Sequence, residues 1–458
     1  MDTAVADTNA LGRSLKPRHI TMISIGGIIG AGLFVGSSAA IAAVGPAIII
    51  SYLLAGLVVL CVMRMLGEMA ASNPQITSFT EFSRAGLGNW AGFTAGWLYW
   101  FFWVVVVAIE AIAGAVILKM WMPFEVWQIG LGLMVLMTGV NLLSTRSYGE
   151  FEFWFASLKV AAILAFIAVG AAYVFGFGPP DVRSFSNLFQ HGGFAPTGYA
   201  TMLAGVVTVI FALTGAEIAT IAAAESEEPA KAIGRLTSSV AMRILLFYVG
   251  SISLIVTIVP WNEIVPGVSP FATSLAKIGI PGAALAMQLV VLTAVLSCLN
   301  SGLYVTSRVL YVLAARGDAP QSMIALNKRK VPARAILIGS AFGYAAVIAS
   351  IISPQVVFAF LLNASGATMI MIYLMTAISH VRLRQKADPA TLSIKMWLFP
   401  GLSYLVIASM IGVLVAMTTT PDLLAQLAAS VFAFVVVLGL YFFVRKRGPR
   451  ALATDAAQ

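Results

Sequence analysis

Apolar stretches recur along the whole chain and are separated by short polar segments. A transmembrane helix needs about 20 consecutive apolar residues, so each stretch predicts one membrane-spanning helix. A β-barrel would show short alternating segments instead. The chain is therefore predicted to be an all-α polytopic membrane protein. Twelve spans are predicted, at residues 20–44, 47–70, 90–118, 126–143, 153–176, 199–222, 238–260, 282–312, 334–352, 356–378, 398–418 and 423–444.

The first span is rich in glycine. Residues 21–36 read TMISIGGIIGAGLFVG, with five glycines. Glycine costs about 1 kcal/mol relative to alanine inside a helix, but it lets the chain unwind and lets other groups approach the backbone. Unwound backbone at membrane depth is tolerated only when it is buried in protein or lines a cavity. One interpretation is a broken helix whose freed N–H groups face a ligand. The other is close helix packing through GxxxG spacings at 26–30 and 32–36.

Span 6 shows a comparable interruption. Gly215 falls near its middle and is followed by Glu217. Two interrupted spans, five spans apart, are typical of an inverted repeat in which spans 1–5 match spans 6–10 and a binding site lies between them. The two halves show no clear residue-level similarity, so the repeat is inferred from the interruptions alone.

Three ionisable residues lie well inside the apolar spans: Glu110 in span 3, Lys159 in span 5 and Glu217 in span 6. Placing an ionisable side chain inside a membrane costs free energy, so each of these residues is a candidate for a functional role. The structural alternatives are a buried hydrogen bond for Glu110, snorkelling to the surface for Lys159, and a cap on the broken helix for Glu217. Arg64 and Glu68 are one helical turn apart and predict a local ion pair.

The composition and the distribution of charged residues predict how the chain is oriented in the membrane. The chain is 60% hydrophobic and 10% charged, which leaves nothing for a sizeable soluble domain. With the N-terminus inside, all of the 27 Lys and Arg lie in cytoplasmic tails, loops or span ends except Lys119, Lys159, Arg183 and Lys277. This asymmetry predicts that both termini are cytoplasmic, so the net charge of +9 does not indicate nucleic-acid binding. Both cysteines lie in apolar spans, so neither a disulfide nor a zinc site is expected.

Several runs resemble a known family. GGIIGAGLFVGS in span 1 and FALTGAEIATIAAAESEEP in span 6 resemble signatures of the amino acid–polyamine–organocation permeases. The run SCLNSGLYVTSRVLYVLAARGDAP, at 297–320, is similar to the bacterial amino acid transporter branch. Within that branch GRSLKPRHITM, MRMLGEM, GWLYWFFWV, YGEFEFWFA and NLLS are most similar to the GABA (4-aminobutyrate) permeases. The resemblance covers residues 15–447.

The resemblance implies a leucine-transporter-type fold of two five-helix inverted repeats plus two peripheral helices. The cytoplasmic tails would be residues 1–19 and 445–458. Repeat 1 would span 20–176, repeat 2 would span 199–378, and 398–444 would hold spans 11 and 12. The implied activity is import of an amino acid through the bacterial inner membrane with the proton as the coupling ion. No cofactor or metal is expected. The expected partners are the amino acid and lipid, and the expected state is a monomer or a weak homo-oligomer.

The resemblance also implies roles for individual residues. The substrate carboxylate would lie on the freed amides of Gly30, Ala31 and Gly32. The substrate amine would be held by freed carbonyls, and the ring of Phe211 would form an aromatic gate. Helix N-terminal amides favour an anion and exposed carbonyls favour a cation, in agreement with this arrangement. The carbonyls belong to Ile28, Phe211, Ala212 and Thr214.

Proton coupling is assigned in the same way. Lys159 matches a span-5 lysine that stands where sodium-coupled relatives bind sodium, and its ammonium would bridge spans 1, 5 and 8. Glu217 matches a carboxyl often implicated in proton handling or gating. Glu110 would meet the amine of GABA, which lies three methylenes from its carboxylate, or the side-chain amine of lysine or ornithine.

The sequence also leaves other functions open. A permease for an aromatic, cationic, alanine/serine-like or proline substrate is the nearest alternative. A transporter-like nutrient sensor usually carries long cytoplasmic extensions, which are absent from this sequence. A membrane-embedded enzyme is disfavoured because His19, His191 and His380 lie far apart in sequence, at or outside span ends, and no nucleophile–base constellation is recognised.

Overall fold

The computed structural model describes residues 29–73, 76, 78–143, 148–183, 185–215, 217, 240–327, 329, 331–388 and 392–445. These residues are helical almost throughout, and none of them lies in a β-strand. Long apolar segments form helices because every backbone polar group that enters lipid must be satisfied within its own segment.

The first half contains nine α-helices in the described residues. They are α1 (Ala31–Phe34), α2 (Gly36–Val44), α3 (Ile48–Ser72), α4 (Phe79–Leu87), α5 (Asn89–Leu118), α6 (Val126–Leu143), α7 (Tyr148–Ala172), α8 (Pro180–Arg183) and α9 (Tyr199–Leu213). A π-helical segment, Tyr173–Phe177, follows α7 directly.

The second half contains seven more α-helices in the described residues. They are α10 (Ser251–Ile258), α11 (Pro270–Ile278), α12 (Ala283–Ala315), α13 (Ala333–Ala349), α14 (Pro354–Lys386), α15 (Gly401–Met417) and α16 (Pro421–Arg445). A second π-helical segment, Ile244–Gly250, leads into α10.

Seven helical segments of the described chain are long and apolar enough to cross a membrane, and four shorter apolar helices accompany them. Their order follows the predicted spans. The first long segment, Ala31–Ser72, contains α1, α2 and α3 and so covers parts of the first two predicted spans. Helix α14 continues to Lys386, beyond its predicted end at 378.

The helices differ in burial according to their position in the bundle. Helix α5 is largely buried, with α12, α14 and α4 packed against it. Helix α16 is largely exposed although it is strongly apolar. A helix that is apolar all round is stable either in a protein core or against lipid. Helix α5 therefore forms the centre of the bundle, and α16 lies on its outer surface.

Both predicted interruptions are present. In span 1, Gly30 precedes α1 with φ −133° and ψ −148°, and Val35 separates α1 from α2 with φ −126° and ψ −46°. In span 6, α9 ends at Leu213, Thr214 is extended with ψ 148°, and Gly215 has φ +111°. Such a positive φ favours glycine, because other residues would clash through Cβ.

Candidate functional site

A small cavity lies between the two interruptions. Its volume of about 20 Å³ has room for roughly one water molecule. Trp103 lines it, whereas Trp100 packs edge-on against Trp97 in a separate cluster. The lining residues are Gly30, Gly32, Phe102, Trp103, Val106, Glu110, Phe211, Ala212, Thr214 and Cys298.

Glu110 occupies one side of this cavity. It comes from the buried middle of α5 and is itself fully buried. The Ala31 N–H donates to both oxygens of the Glu110 carboxylate, at N···O distances of 3.0 and 3.1 Å. The Cys298 thiol forms a hydrogen bond with the same carboxylate. A freed amide of span 1 therefore binds a carboxylate, and here that carboxylate belongs to the protein.

Two glycines allow the close packing around the cavity. A Cβ on Gly32 would lie 2.9 Å from Ala212 Cα and 3.1 Å from the Phe211 ring. A Cβ on Gly30 would lie 2.5 Å from Glu110 Oε1 and 2.8 Å from Cys298 Sγ. The described part of this glycine-rich stretch therefore contains both close packing and a break in the helix. Gly32 permits close contact between spans 1 and 6, and the backbone at Gly30 is non-helical.

The end of α9 supplies the opposite wall. The Phe211 ring packs against Phe102, with ring centroids 6.0 Å apart. The Ala212 carbonyl accepts a hydrogen bond from the Tyr248 hydroxyl at 2.9 Å, and the Phe211 carbonyl accepts one from the Thr214 N–H at 3.2 Å. A carbonyl oxygen has two lone pairs, so each can accept a second donor. Ile28, the remaining carbonyl predicted from span 1, lies outside the described residues.

Glu217 lies beyond the Gly215 break and is fully buried. Its Oε1 accepts from the Tyr99 hydroxyl at 3.1 Å, and its Oε2 accepts from the Tyr373 hydroxyl at 3.1 Å and the Gly215 N–H at 2.9 Å. The carboxyl therefore joins α5 and α14 to the break in span 6. The contact with the Gly215 N–H corresponds to the predicted cap on the broken helix.

Lys159 is fully buried on α7, and its Nζ donates to Ser297 Oγ on α12 at 3.0 Å. The side chain therefore does not snorkel to a membrane surface. The contact corresponds to the span 5 to span 8 part of the predicted bridge. The beginning of span 1, up to residue 28, lies outside the described residues.

A second, larger cavity lies between α4, α5 and α12. Its volume is about 310 Å³, and it extends from Glu81 and Arg316 to Tyr99. Because Tyr99 also donates to Glu217, one end of this cavity lies next to the buried carboxyl. Among the described residues, no group of His, Cys, Asp and Glu is arranged to hold a metal ion.

Sequence reasoning missed several residues of the site. Ser297 and Cys298 lie within a run that carried the resemblance, but the run gave no sign that their side chains face Lys159 and Glu110. Tyr99 lies in the run GWLYWFFWV, which carried part of the resemblance but did not indicate a contact with Glu217. Tyr248 and Tyr373 carried no signal, because an isolated tyrosine in an apolar span is compatible with many environments.

A comparison with models of protein families identifies the family of this chain. The model of the family described as "Amino acid permease" matches residues 19–448. The chain therefore belongs to the amino acid permease family. Its members are transporters rather than enzymes, and a multi-pass protein of the bacterial inner membrane is the corresponding localisation.

Three similar proteins carry names that specify the amino acid they transport. The chain is 49% identical to a gamma-aminobutyric acid permease of Bacillus subtilis over 96% of this chain and 95% of the relative. It is 46% identical to a gamma-aminobutyric acid permease of Escherichia coli over 90% and 89%. It is 38% identical to an aromatic amino acid transport protein of Corynebacterium glutamicum over 93% and 94%.

The fold also has a likeness among solved structures. A Na⁺-coupled sialic acid symporter in a substrate-bound, outward-open state superposes with a TM-score of 0.59 at 16% identity, over 97% of this chain and 92% of that one. At this identity the likeness concerns the fold alone.

Proposed function

We propose that this permease imports GABA or a closely related amino acid together with a proton, by alternating access. Two relatives named gamma-aminobutyric acid permeases, at 49% and 46% identity over most of the chain, support the substrate. The observation that carries the mechanism is the pair of broken spans that meet around a small cavity lined by Glu110 and Phe211.

The substrate carboxylate would bind the freed amides of Gly30, Ala31 and Gly32. The contact between Ala31 N–H and the Glu110 carboxylate supports this assignment, because it demonstrates the chemical fit of that amide to a carboxylate. The Phe211 ring would cover the bound substrate, and Glu110 would contribute to the choice of amine. The amine would bind carbonyls of Ile28, Phe211, Ala212 and Thr214.

Lys159 and Glu217 would couple the proton. Both are fully buried, and each bridges elements that alternating access would move relative to one another. Loss of the Lys159 proton would release the contact with Ser297. Because a fixed cation already fills this position, sodium coupling is less favoured.

The proposed topology has twelve spans with both termini cytoplasmic. Seven long and four shorter apolar helical segments support the number, since the first segment covers two predicted spans. Spans 1–5 (20–176) and 6–10 (199–378) would form a leucine-transporter-type inverted repeat, which the likeness to the symporter supports. Residues 398–444 would add two peripheral spans to a monomer or weak homo-oligomer.

The alternatives are other amino acids. The relative named as an aromatic amino acid transport protein, at 38% identity, favours an aromatic side chain more than the others. Lysine or ornithine would bring a side-chain amine that could reach Glu110. Alanine, serine and proline-like substrates are further candidates. A transporter-like nutrient sensor is an alternative function rather than an alternative substrate.

Substrate-dependent proton flux in proteoliposomes tests the proposal. GABA is compared with lysine, phenylalanine and alanine, and GABA is expected to drive the largest flux. Gly30→Val provides the inactive control, because its side chain would meet Glu110 and Cys298. Proton flux driven by lysine but not by GABA would reject GABA as the substrate. Accumulation of GABA without proton movement would reject the coupling.

A further inference from the structure

The Glu110 carboxylate has the same chemistry as the group that the Ala31 amide is proposed to bind. It is fully buried, and both of its oxygens lie within hydrogen-bonding distance of the Ala31 nitrogen. The cavity beside it has room for only about one water molecule. An amino acid cannot enter this site with Glu110 and the other lining residues in their present positions.

We infer that Glu110 is an internal competitor for the substrate carboxylate, and that it exchanges the Ala31 N–H for the substrate ammonium when an amino acid binds. This inference rests on the proposed function. The exchange is neutral in charge: the incoming carboxylate takes the amide, and the incoming ammonium meets the displaced carboxylate. A substrate would thus need both of its charged groups to open the site.

The energetic reason is the burial of Glu110. A buried charge that loses its partner is strongly unfavourable unless another partner replaces it. A monocarboxylate without an amine could occupy the Ala31 amide, but it would leave the Glu110 carboxylate without the new cation. Glu110 would therefore reject amine-free acids of the same length, although such acids fit the carboxylate cradle equally well.

Other groups face Glu110 and bear on the inference. The Cys298 thiol forms a hydrogen bond with its carboxylate, and Lys159 interacts with it electrostatically. The Lys159 ammonium donates to Ser297 Oγ at 3.0 Å. If the displaced carboxylate paired with Lys159 instead of the substrate amine, the amine would not be needed for displacement. The experiment separates these two outcomes.

The test is competition for labelled GABA by GABA and by butyrate, its amine-free counterpart, on the purified protein in detergent. For the wild type, butyrate is expected to bind at least about tenfold more weakly than GABA, because it takes the Ala31 amide from a buried carboxylate without supplying an ammonium in its place. In Glu110→Gln the displaced group is neutral, yet its amide oxygen can still accept from Ala31. The ratio of the two inhibition constants should therefore fall at least about tenfold.

Two further variants serve as controls. Glu110→Asp keeps the charge and should keep the discrimination against butyrate. Glu68→Gln removes a buried carboxyl that pairs with Arg384 and His380 rather than Ala31, and should leave the ratio within about twofold of wild type.

An unchanged ratio in Glu110→Gln would overturn the inference, as would a wild-type protein that binds butyrate as tightly as GABA. If the Gln variant does not fold, Glu110→Ala, which also removes the carboxylate, supplies the ratio, because the wild-type measurement by itself can only overturn the inference. If GABA itself does not bind, the substrate proposal fails separately. The same ratio is then measured for the amino acid that does bind and its amine-free counterpart, such as alanine with propionate or phenylalanine with 3-phenylpropionate.

Discussion

Glu217 shows how a single residue can hold several elements at a break in a helix. Its carboxyl accepts three hydrogen bonds, all from neutral donors, namely two tyrosine hydroxyls and the Gly215 amide. A buried carboxylate is costly without such partners. Neutral donors offset part of that cost without fixing the charge as a buried cation would. The residue is therefore suited to a proton-handling role, and it also stabilises the geometry of the break.

Tyr373→Phe tests the structural part of this role. The variant removes one of three donors to Glu217, and a hydrogen bond to a charged group contributes about 1.5–3 kcal/mol. We expect a lower thermal unfolding temperature of the purified protein and weaker substrate binding. Tyr344→Phe is the matched control, since that hydroxyl lies 3.5 Å from Thr138 Oγ1. Equal stability of the two variants would show that the Tyr373 contact does not stabilise the break.

Gly32→Ala tests the contact between the two broken spans. The added Cβ would lie 2.9 Å from Ala212 Cα, which belongs to the backbone and cannot rotate away. Overpacking of this kind costs about 1–3 kcal/mol. We therefore expect reduced stability and loss of substrate binding.

The control for this substitution is Gly132→Ala on α6, where a Cβ would meet nothing within 4 Å. Its stability should change by less than about 1 kcal/mol in either direction. If Gly32→Ala bound substrate as tightly as Gly132→Ala, close contact at Gly32 would not be needed for the site.

Individual contacts were the least predictable feature from sequence. The spacing of Arg64 and Glu68 predicted a local ion pair; the two side chains interact electrostatically, but their direct contacts are with other residues. Glu68 instead pairs with Arg384 at 2.7 Å and with His380 at 3.3 Å, while Arg64 donates to the Lys395 carbonyl. A partner more than 300 positions away leaves no trace in local spacing. The contact between Glu110 and Ala31 could not be predicted either, because the two residues are 79 positions apart in the sequence.

At the scale of elements, hydropathy predicted the order of the apolar helices and most of their bounds. The two interruptions were also visible, because glycine marks positions where a helix can stop. The π-helical segments were not predicted, since an altered hydrogen-bond ladder does not change the pattern of apolar residues. One of these segments, Ile244–Gly250, carries Tyr248, whose hydroxyl bonds the Ala212 carbonyl at the end of α9.

The contact between α7 and α12 through Lys159 and Ser297 is the element-level link that proton coupling would use. Lys159→Ala removes the buried ammonium and with it the 3.0 Å hydrogen bond. We expect uptake to lose its pH dependence and proton-driven accumulation to stop, because the variant lacks the side chain that is proposed to couple the proton.

Counterflow exchange separates this effect from misfolding. Exchange needs binding and movement of the site but no net proton flux, so Lys159→Ala should retain it. Leu158→Ala, on the adjacent exposed position of α7, should leave both activities unchanged. Full proton-driven accumulation by Lys159→Ala would show that the coupling role is wrong.

At the scale of the whole molecule, a charged cluster ties α4 to the segment that follows α12. Arg84 pairs with Glu81 and with Asp318, and Arg316 pairs with Glu81. Burial raises the pKa of Asp318 above its usual value, although Arg84 next to it acts in the opposite direction. The folded protein therefore favours the protonated form of Asp318 more than the unfolded chain does.

The sign of the resulting pH effect follows from the raised pKa. The contribution of Asp318 to stability is fully present below its unfolded pKa, near 4, and is lost as pH rises through the folded pKa. Asp318→Asn removes this titration. The difference in unfolding temperature, wild type minus variant, should therefore fall between pH 4 and pH 7. A difference that rises over this range would contradict the assigned shift.

The charged cluster also borders the larger cavity, and this arrangement suggests how the site communicates with one side of the membrane. The cavity of about 310 Å³ runs between α4, α5 and α12 and ends at Tyr99, which donates to Glu217. No pattern along the sequence predicted it, because α12, which forms one wall, lies far along the chain from α4 and α5. In the proposed topology it opens to the cytoplasm and would serve as the exit route.

Val309→Trp fills this cavity without touching the small site, since Val309 lines only the larger cavity among those described. The indole would occupy space that alternating access needs, so uptake should fall below about a tenth of wild type. Substrate binding in detergent should stay within about twofold, because the substitution is remote from the broken spans. Val415→Trp places the same side chain on the exposed surface of α15 and should transport normally. Normal uptake by Val309→Trp would mean that substrate and proton leave by another path, whereas equal loss of binding and uptake would mean that the cavity supports the site rather than forming its exit.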